Sequence, residues 1–224
     1  MIFKDVNCGY YEQRQPMQYA CTHDELAALA RKNGIVTRAI YNYDKGAEAN
    51  AHTRAFAKAS GGEEYPVLRL MPPVYPEETF TREQMERAIC EDKALFRVHP
   101  KEYAAPLHVW MYDWMLDVLT ESRTPLLVSL QELDLNDAAA VKTRYPDLRL
   151  IITNTDQWLN RQYVQFAQYF SNVYFDTCNT IEYFGIENMT GLIGADKFLF
   201  GSYMPEKELI AHGNFERLVE ARNV

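Results

Sequence analysis

The sequence predicts an α/β fold, a single (β/α)₈ barrel over residues 1–224. Three observations support this: eight short runs have strand-like patterns, amphipathic stretches separate them, and the runs are apolar enough to be buried on both faces. Parallel strands of this kind, alternating with helices, are typical of the barrel. The competing architecture is a doubly wound open sheet, but its glycine-rich first turn is missing, because residues 7–10 contain no G-x-G-x-x-G.

The predicted elements follow one another without a linker or a repeat. The strands cover residues 2–7, 36–42, 67–71, 94–99, 125–130, 148–154, 172–177 and 198–202. The first helix is the clearest, because Thr22 and Glu25 have capping-box spacing before an apolar stripe that stops at Gly34. Thr81 and Gln84 repeat the cap pattern. The remaining helices are predicted over residues 47–59, 81–90, 110–120, 136–144, 159–170 and 181–193.

Composition and charge narrow the function classes. The chain has 224 residues, 47% of them hydrophobic, and a formal charge of −8. It contains no run of basic residues, and the two observations argue against nucleic-acid binding. The longest apolar runs, such as residues 125–130, are too short to cross a membrane, and the N-terminus lacks signal-peptide features. We therefore expect a cytoplasmic protein whose partner is a small molecule, with no nucleic-acid or membrane partner. Formation of a homo-oligomer stays open.

Barrel active sites lie where the strands end, so the residues that finish each run are candidates. Arg97 and His99 share one face of the fourth strand, while Phe96 and Val98 share the other. We expect the polar pair to point into the barrel. His99 then has two interpretations that stay open: a pocket residue, or a buried histidine whose ring is satisfied by a neighbouring hydroxyl or carbonyl.

Three arginines, Arg38, Arg69 and Arg97, fall inside predicted strands, where an unpaired guanidinium is costly to bury. They need acidic partners. A structural layer of ion pairs is favoured over a cationic patch for an anionic ligand, because buried charges are usually paired. The acids available for this are Asp5, Glu132 and Asp176.

Four segments in the C-terminal half carry a resemblance to a known family. They are RYPDL at 144–148, NVYFDT at 172–177, GIE at 185–187 and IGADKFLFGS at 193–202. Together they resemble the amidohydrolase-related TIM-barrel proteins, a branch of the amidohydrolase superfamily, and the likeness spans nearly the whole chain. The resemblance implies a barrel and an ancestry among metal-dependent hydrolases.

In the family that the chain resembles, the metal ligands are an H-x-H pair after strand one, histidines after strands five and six, and an aspartate after strand eight. By this resemblance, the ligand positions fall on Asn7, Gly9, Ser129, Asn154 and Tyr203. Amides and hydroxyls are poor ligands for borderline divalent metals. We therefore expect no metal and no other cofactor. The HPKE segment at 99–102 resembles one found in family members with the same eroded pattern.

A relocated metal site is the less favoured alternative. Of the five histidines only His99 finishes a strand, and one histidine among scattered acids and thiols has no diagnostic spacing. Its candidate co-ligands would be Asp5, Cys8, Asp156 and Asp176.

Two functional hypotheses result. In the first, the protein is a hydrolase or lyase that acts on a small polar or anionic substrate without the family's metal, with Arg97 holding an anion and His99 as acid or base. The predicted substrate-binding residues are Asn7, Ser129, Asn154 and Tyr203. In the second, the barrel is catalytically silent and binds a small molecule or a partner chain. Whether the protein is an enzyme is left undecided by the sequence.

Overall fold

The computed structural model describes residues 3–10, 23–32, 34–42, 48–60, 64–72, 79–155, 161–178 and 185–201. Strands β1 to β8 cover Phe3–Tyr10, Ile35–Asn42, Glu64–Arg69, Leu95–Val98, Leu126–Ser129, Leu150–Thr153, Val173–Asp176 and Phe198–Leu199. Helices α1 to α7 cover His23–Lys32, Ala49–Ala59, Arg82–Asp92, Val109–Glu121, Leu135–Arg144, Arg161–Tyr169 and Gly185–Ile193, and a short 3₁₀ turn, Ala195–Lys197, precedes β8. None of the described helices combines the length and the apolar character needed to cross a bilayer.

All eight strands are parallel, and each pairs with the next one along the chain. The Val6 amide donates to the carbonyl of Phe200, just beyond β8, at 2.9 Å, so the first and last strands meet. An open doubly wound sheet would instead reverse its strand order at a switch point. The predicted barrel is therefore confirmed.

Successive side chains along each strand point alternately into two apolar layers, as the two-residue period of a strand requires. One layer fills the barrel interior, and the larger one lies between the strands and the surrounding helices. This double burial explains why β4 to β7 are mostly apolar on both faces. The interior cluster is Ala39, Tyr41, Val67, Leu127 and Ile151, and the outer layer includes Leu68, Phe96, Val98, Leu126, Val128, Leu150 and Ile152.

Side-chain caps mark the starts of α3 and α5, whereas α2 and α4 begin without a side-chain cap hydrogen bond. The capping box that begins α3 is present, because Thr81 Oγ1 accepts from the Gln84 amide and Gln84 Oε1 accepts from the Thr81 amide. The box predicted at Thr22 lies outside the described residues. Strand β1 continues to Tyr10 rather than ending at residue 7, with a register irregularity between Asp5 and Cys8. Asn7 therefore lies at a bulge inside the strand, where a side chain can be re-aimed.

Arg38 is paired with an acid that the sequence interpretation had not selected. Arg38 and Glu64 are register neighbours on β2 and β3, and their side chains form a buried ion pair. The Arg38 guanidinium also donates to the Leu26 carbonyl. The structural ion-pair layer thus exists at this position, with Glu64 in place of the expected acids.

We expect Glu64→Gln to destabilise the fold by about 3 to 5 kcal/mol, because it leaves the buried Arg38 charge without a counter-ion. Chemical denaturation of the purified variant measures this. The control is Glu83→Gln, which breaks the exposed pair with Arg87 and should change the unfolding free energy by less than about 1 kcal/mol. Equal losses in the two variants would contradict a special role for the buried pair.

Candidate functional site at the barrel mouth

Arg97 carries a positive charge inside the barrel. Its side chain extends from β4, the residue is 2% exposed, and Nη2 donates to Asn7 Oδ1 and to Thr153 Oγ1, both at 2.9 Å. Among the described residues no carboxylate lies within ion-pair distance of the guanidinium, and Nε has no hydrogen-bond partner. Its hydrogen-bonding partners are therefore neutral, unlike those of Arg38.

Asn7 links Arg97 to two other strand ends. Its amide nitrogen donates to Asn154 Oδ1 at 2.9 Å and to Asp176 Oδ2 at 2.8 Å. The Asn154 amide in turn donates to Ser129 Oγ at 3.3 Å. Asn154 has a φ of 55°, a left-handed conformation that asparagine tolerates better than most residues. Four of the predicted site residues therefore form one hydrogen-bonded network across β1, β4, β5 and β6.

Asp176 ends β7 at the far side of this network. Burial raises the pKa of Asp176 to about 7, while the Asn7 hydrogen bond and the Arg97 charge act in the opposite direction. Its Oδ1 atom has no hydrogen-bond partner. Gly201 approaches the carboxyl so closely that a Cβ there would lie 2.7 Å from Oδ2. A fully buried acid that titrates near neutrality can hold or release a proton at this site.

Two guanidinium groups lie close to the Tyr41 ring. Arg69 and Arg97 are register neighbours on β3 and β4, and their Cζ atoms lie 4.9 and 4.7 Å from the ring centroid. The negative face of the ring attracts both cations and so offsets part of their mutual repulsion. Arg69 is further held by the Tyr103 hydroxyl at 2.8 Å and by Glu102 at 3.4 Å.

His99 lies directly after β4 with both ring nitrogens engaged. Nε2 is 2.7 Å from the Tyr41 hydroxyl, and Nδ1 is 3.5 Å from Glu102 Oε2. The network assigns the proton to Nδ1, beside the carboxylate, so that Nε2 accepts from Tyr41. The hydroxyl partner anticipated for a buried histidine is therefore present, and Tyr41 links the ring to Arg97.

Glu132 has a different role from the expected one of neutralising an arginine. Its Oε2 accepts from the consecutive amides of Lys101 and Glu102, at 2.7 and 3.1 Å. This anchors the loop after β4 to the loop after β5. The anchored loop holds Glu102 against both His99 and Arg69.

The described residues at the positions that the resemblance equates with the family's metal ligands do not form a metal-binding set. Asn7 and Asn154 already use their amide groups on each other and on Ser129, and the Arg97 cation contacts Asn7 Oδ1 directly. A divalent cation at this point would face that guanidinium as well as neutral ligands. Within the described part of the chain, no group of three His, Cys, Asp or Glu residues could hold a metal ion. Tyr203 and Asp156 lie outside the described residues.

The sequence does not single out Tyr41 or Glu102 as site residues, because neither ends a predicted strand. Asp176 enters the sequence-based hypotheses as a counter-ion for a buried arginine and as a ligand of a relocated metal site, not as a member of this network. Strand alternation, which places Tyr41 on the same inward face as Ala39, is the signal that finds it.

Comparisons with known proteins support the fold. No protein-family model matches the sequence, and neither does any curated protein. Solved structures do match: 5-carboxyvanillate decarboxylase from Sphingomonas paucimobilis has 10% identity over 96% of this chain and 92% of its own, with a TM-score of 0.73. A probable 2-pyrone-4,6-dicarboxylic acid hydrolase from Acinetobacter baumannii, with citric acid bound, has 11% identity over 100% and 94%, with a TM-score of 0.71.

A third similar structure is amidohydrolase 2 from Bifidobacterium longum subsp. infantis, with 15% identity over 98% of this chain and 92% of its own and a TM-score of 0.67. At these identities the likeness concerns the fold. The chain has a TIM-barrel fold similar to that of these structures, as the resemblance in its C-terminal half predicts.

We predict that the purified protein contains no stoichiometric zinc, iron or manganese, because the ligand positions described above hold neutral residues and the Arg97 guanidinium contacts one of them, Asn7. Elemental analysis after dialysis measures this. One retained equivalent of metal would contradict the prediction and support a relocated site around His99.

We predict that Asp176→Asn alters how stability depends on pH. Because the pKa of Asp176 rises from 3.8 to about 7 on folding, the folded protein binds the extra proton between about pH 4 and 7, and this contribution to stability is lost as the pH rises through 7. The full loss is on the order of 4 kcal/mol. The isosteric amide lacks it, so the variant should gain stability relative to wild type between pH 5 and pH 8 in denaturation curves. A constant difference between the two proteins would contradict the assignment.

Proposed function

We propose that the protein is a metal-independent hydrolase or lyase that acts on a small carboxylated molecule at the C-terminal mouth of the barrel. The observation that carries this proposal is Arg97: a buried guanidinium whose described partners are neutral and whose Nε has no hydrogen-bond partner. A substrate carboxylate would supply a counter-charge in direct contact with the guanidinium, where no carboxylate of the described residues lies within ion-pair distance. Two of the structural neighbours are named for carboxylic acids, and one of these holds citric acid.

The network also provides the groups that such chemistry needs. Arg97 would hold the substrate anion and stabilise negative charge that develops during the reaction. Asp176, joined to Arg97 through Asn7, and His99, joined to it through Tyr41, are the two groups placed to exchange protons. Asn154 and Ser129 would orient the substrate from the neighbouring strands.

The second candidate function is a catalytically silent barrel that only binds such an anion. The engagement of both His99 nitrogens favours it, because each proton-transfer position on the ring already has a partner. The side-chain amides of Asn7 and Asn154 are likewise engaged, because Asn7 donates to Asn154, Asn154 donates to Ser129 and the Asn7 oxygen accepts from Arg97. Both candidates share the anion held by Arg97 and differ in turnover.

Calorimetric titration with citrate, 5-carboxyvanillate and 2-pyrone-4,6-dicarboxylate tests the shared part. We expect Arg97→Gln to weaken binding by about 1.5 to 3 kcal/mol, the worth of a charge-assisted hydrogen bond. The control is Arg149→Gln, an exposed arginine at the start of β6 that removes the same charge far from the mouth. Equal affinities in wild type and Arg97→Gln would disprove the anion site.

Product formation with the same compounds separates the enzyme from the binding module. If His99 transfers protons, His99→Gln should lower turnover by roughly 10² to 10⁴ while preserving much of the binding. Thermal melts must accompany both variants, because loss of Arg97 can destabilise the barrel. Arg97→Lys keeps the charge without the planar fork and serves where Arg97→Gln does not fold. Binding without turnover in the wild type would identify the silent barrel.

A further inference from the structure

A cavity lies between helices α2 and α3, and Arg69 of β3 and Tyr103 also line it. Its volume is about 740 Å³. The gap exists because the facing helix surfaces carry small side chains: Ala51 and Ala55 from α2, and Ala88 from α3. On its other side α3 packs with α4 in the main apolar cluster, through larger residues such as Met85. We call this cavity the α2–α3 groove.

The charge of the α2–α3 groove differs from that of the chain. Four basic and only two acidic side chains line it, although the whole protein has a formal charge of −8. Arg54 pairs with one of the two acids, Asp92, at 3.4 Å. Arg87 pairs with Glu83, which does not line the groove, and Lys58 has no ion pair among the described residues. The groove therefore retains positive charge that favours an anion.

An apolar surface lies beside these cations. Phe80 lines the groove, half-buried, with its ring packed edge-on against Phe96 at 5.5 Å. The Arg54 guanidinium lies over the same ring, 5.7 Å from its centroid. With the alanines of both helices, Phe80 forms a wall against which a flat apolar body can pack next to a guanidinium.

We propose that the α2–α3 groove is a binding site for an organic anion with an aromatic body. Arg54 and Lys58 contact the anionic group, and the body lies against Phe80 and Ala55. Neither Arg97 nor His99 lines the groove, whereas Arg69 and Tyr103 line it and also contact the residues of the barrel mouth. The proposal does not depend on the activity proposed for the barrel mouth.

Fluorescence titration with 8-anilinonaphthalene-1-sulfonate, an aromatic sulfonate, tests the proposal. We expect saturable binding to the wild type and an affinity about tenfold lower for Arg54→Gln, the scale of one lost charge-assisted contact. The matched control is Arg82→Gln. Arg82 is also half-exposed, paired with an acid and placed over an aromatic ring, that of Trp114, but it does not line the groove. Its affinity should equal that of the wild type.

A second pair of variants tests the volume of the groove. Ala55→Trp fills it from an exposed position that does not disturb the core, and should lower the affinity at least tenfold. Ala140→Trp adds the same ring at an exposed position on α5 and should have no effect. The proposal is overturned if the wild type shows no saturable binding, or if the two variants of either pair have equal affinities. It is also overturned if Arg97→Gln loses as much affinity as Arg54→Gln, because that would place the anion at the barrel mouth.

Discussion

The arrangement of the barrel mouth depends on how the buried charge of Arg97 is stabilised. Burying a guanidinium costs free energy unless its protein partners replace most of the interactions that it made with water. Here those partners are the amide oxygen of Asn7, the hydroxyl of Thr153 and the face of the Tyr41 ring. These partners come from three strands other than that of Arg97. The charge therefore fixes which residues of β1, β2 and β6 can face the interior.

Two side chains that can exchange protons are each linked to the Arg97 guanidinium through one other residue. Asp176 is reached through the Asn7 amide, and His99 through the Tyr41 hydroxyl. A change in the charge balance at Arg97, such as the arrival of an anion, would remove part of the electrostatic effect that lowers the pKa of Asp176. If an anion binds at Arg97 as proposed, its binding is therefore coupled to protonation of Asp176 through the same contacts that stabilise the fold.

Much of the fold could be predicted from the sequence, because periodicity and caps are local. The eight runs, the box at Thr81 and the inward direction of Arg97 follow from alternation and spacing alone. Partner choice could not be predicted in this way. Arg38 pairs with Glu64 because the register of β2 and β3 places the two side chains next to each other. Glu132 binds backbone amides because the path of the loop after β4 brings those amides within reach. The bulge that aims Asn7 is likewise a product of strand pairing and has no local signature.

The close approach of Gly201 to Asp176 ties two distant positions of the chain together. A side chain at position 201 would collide with the carboxyl group, and a shorter residue at 176 would leave Asn7 without one of its acceptors. A substitution at one position therefore constrains the residue at the other. Across related sequences we expect the residues at 176 and 201 to vary together, so that the residue pair distinguishes barrels with a buried acid at this strand end from barrels without one.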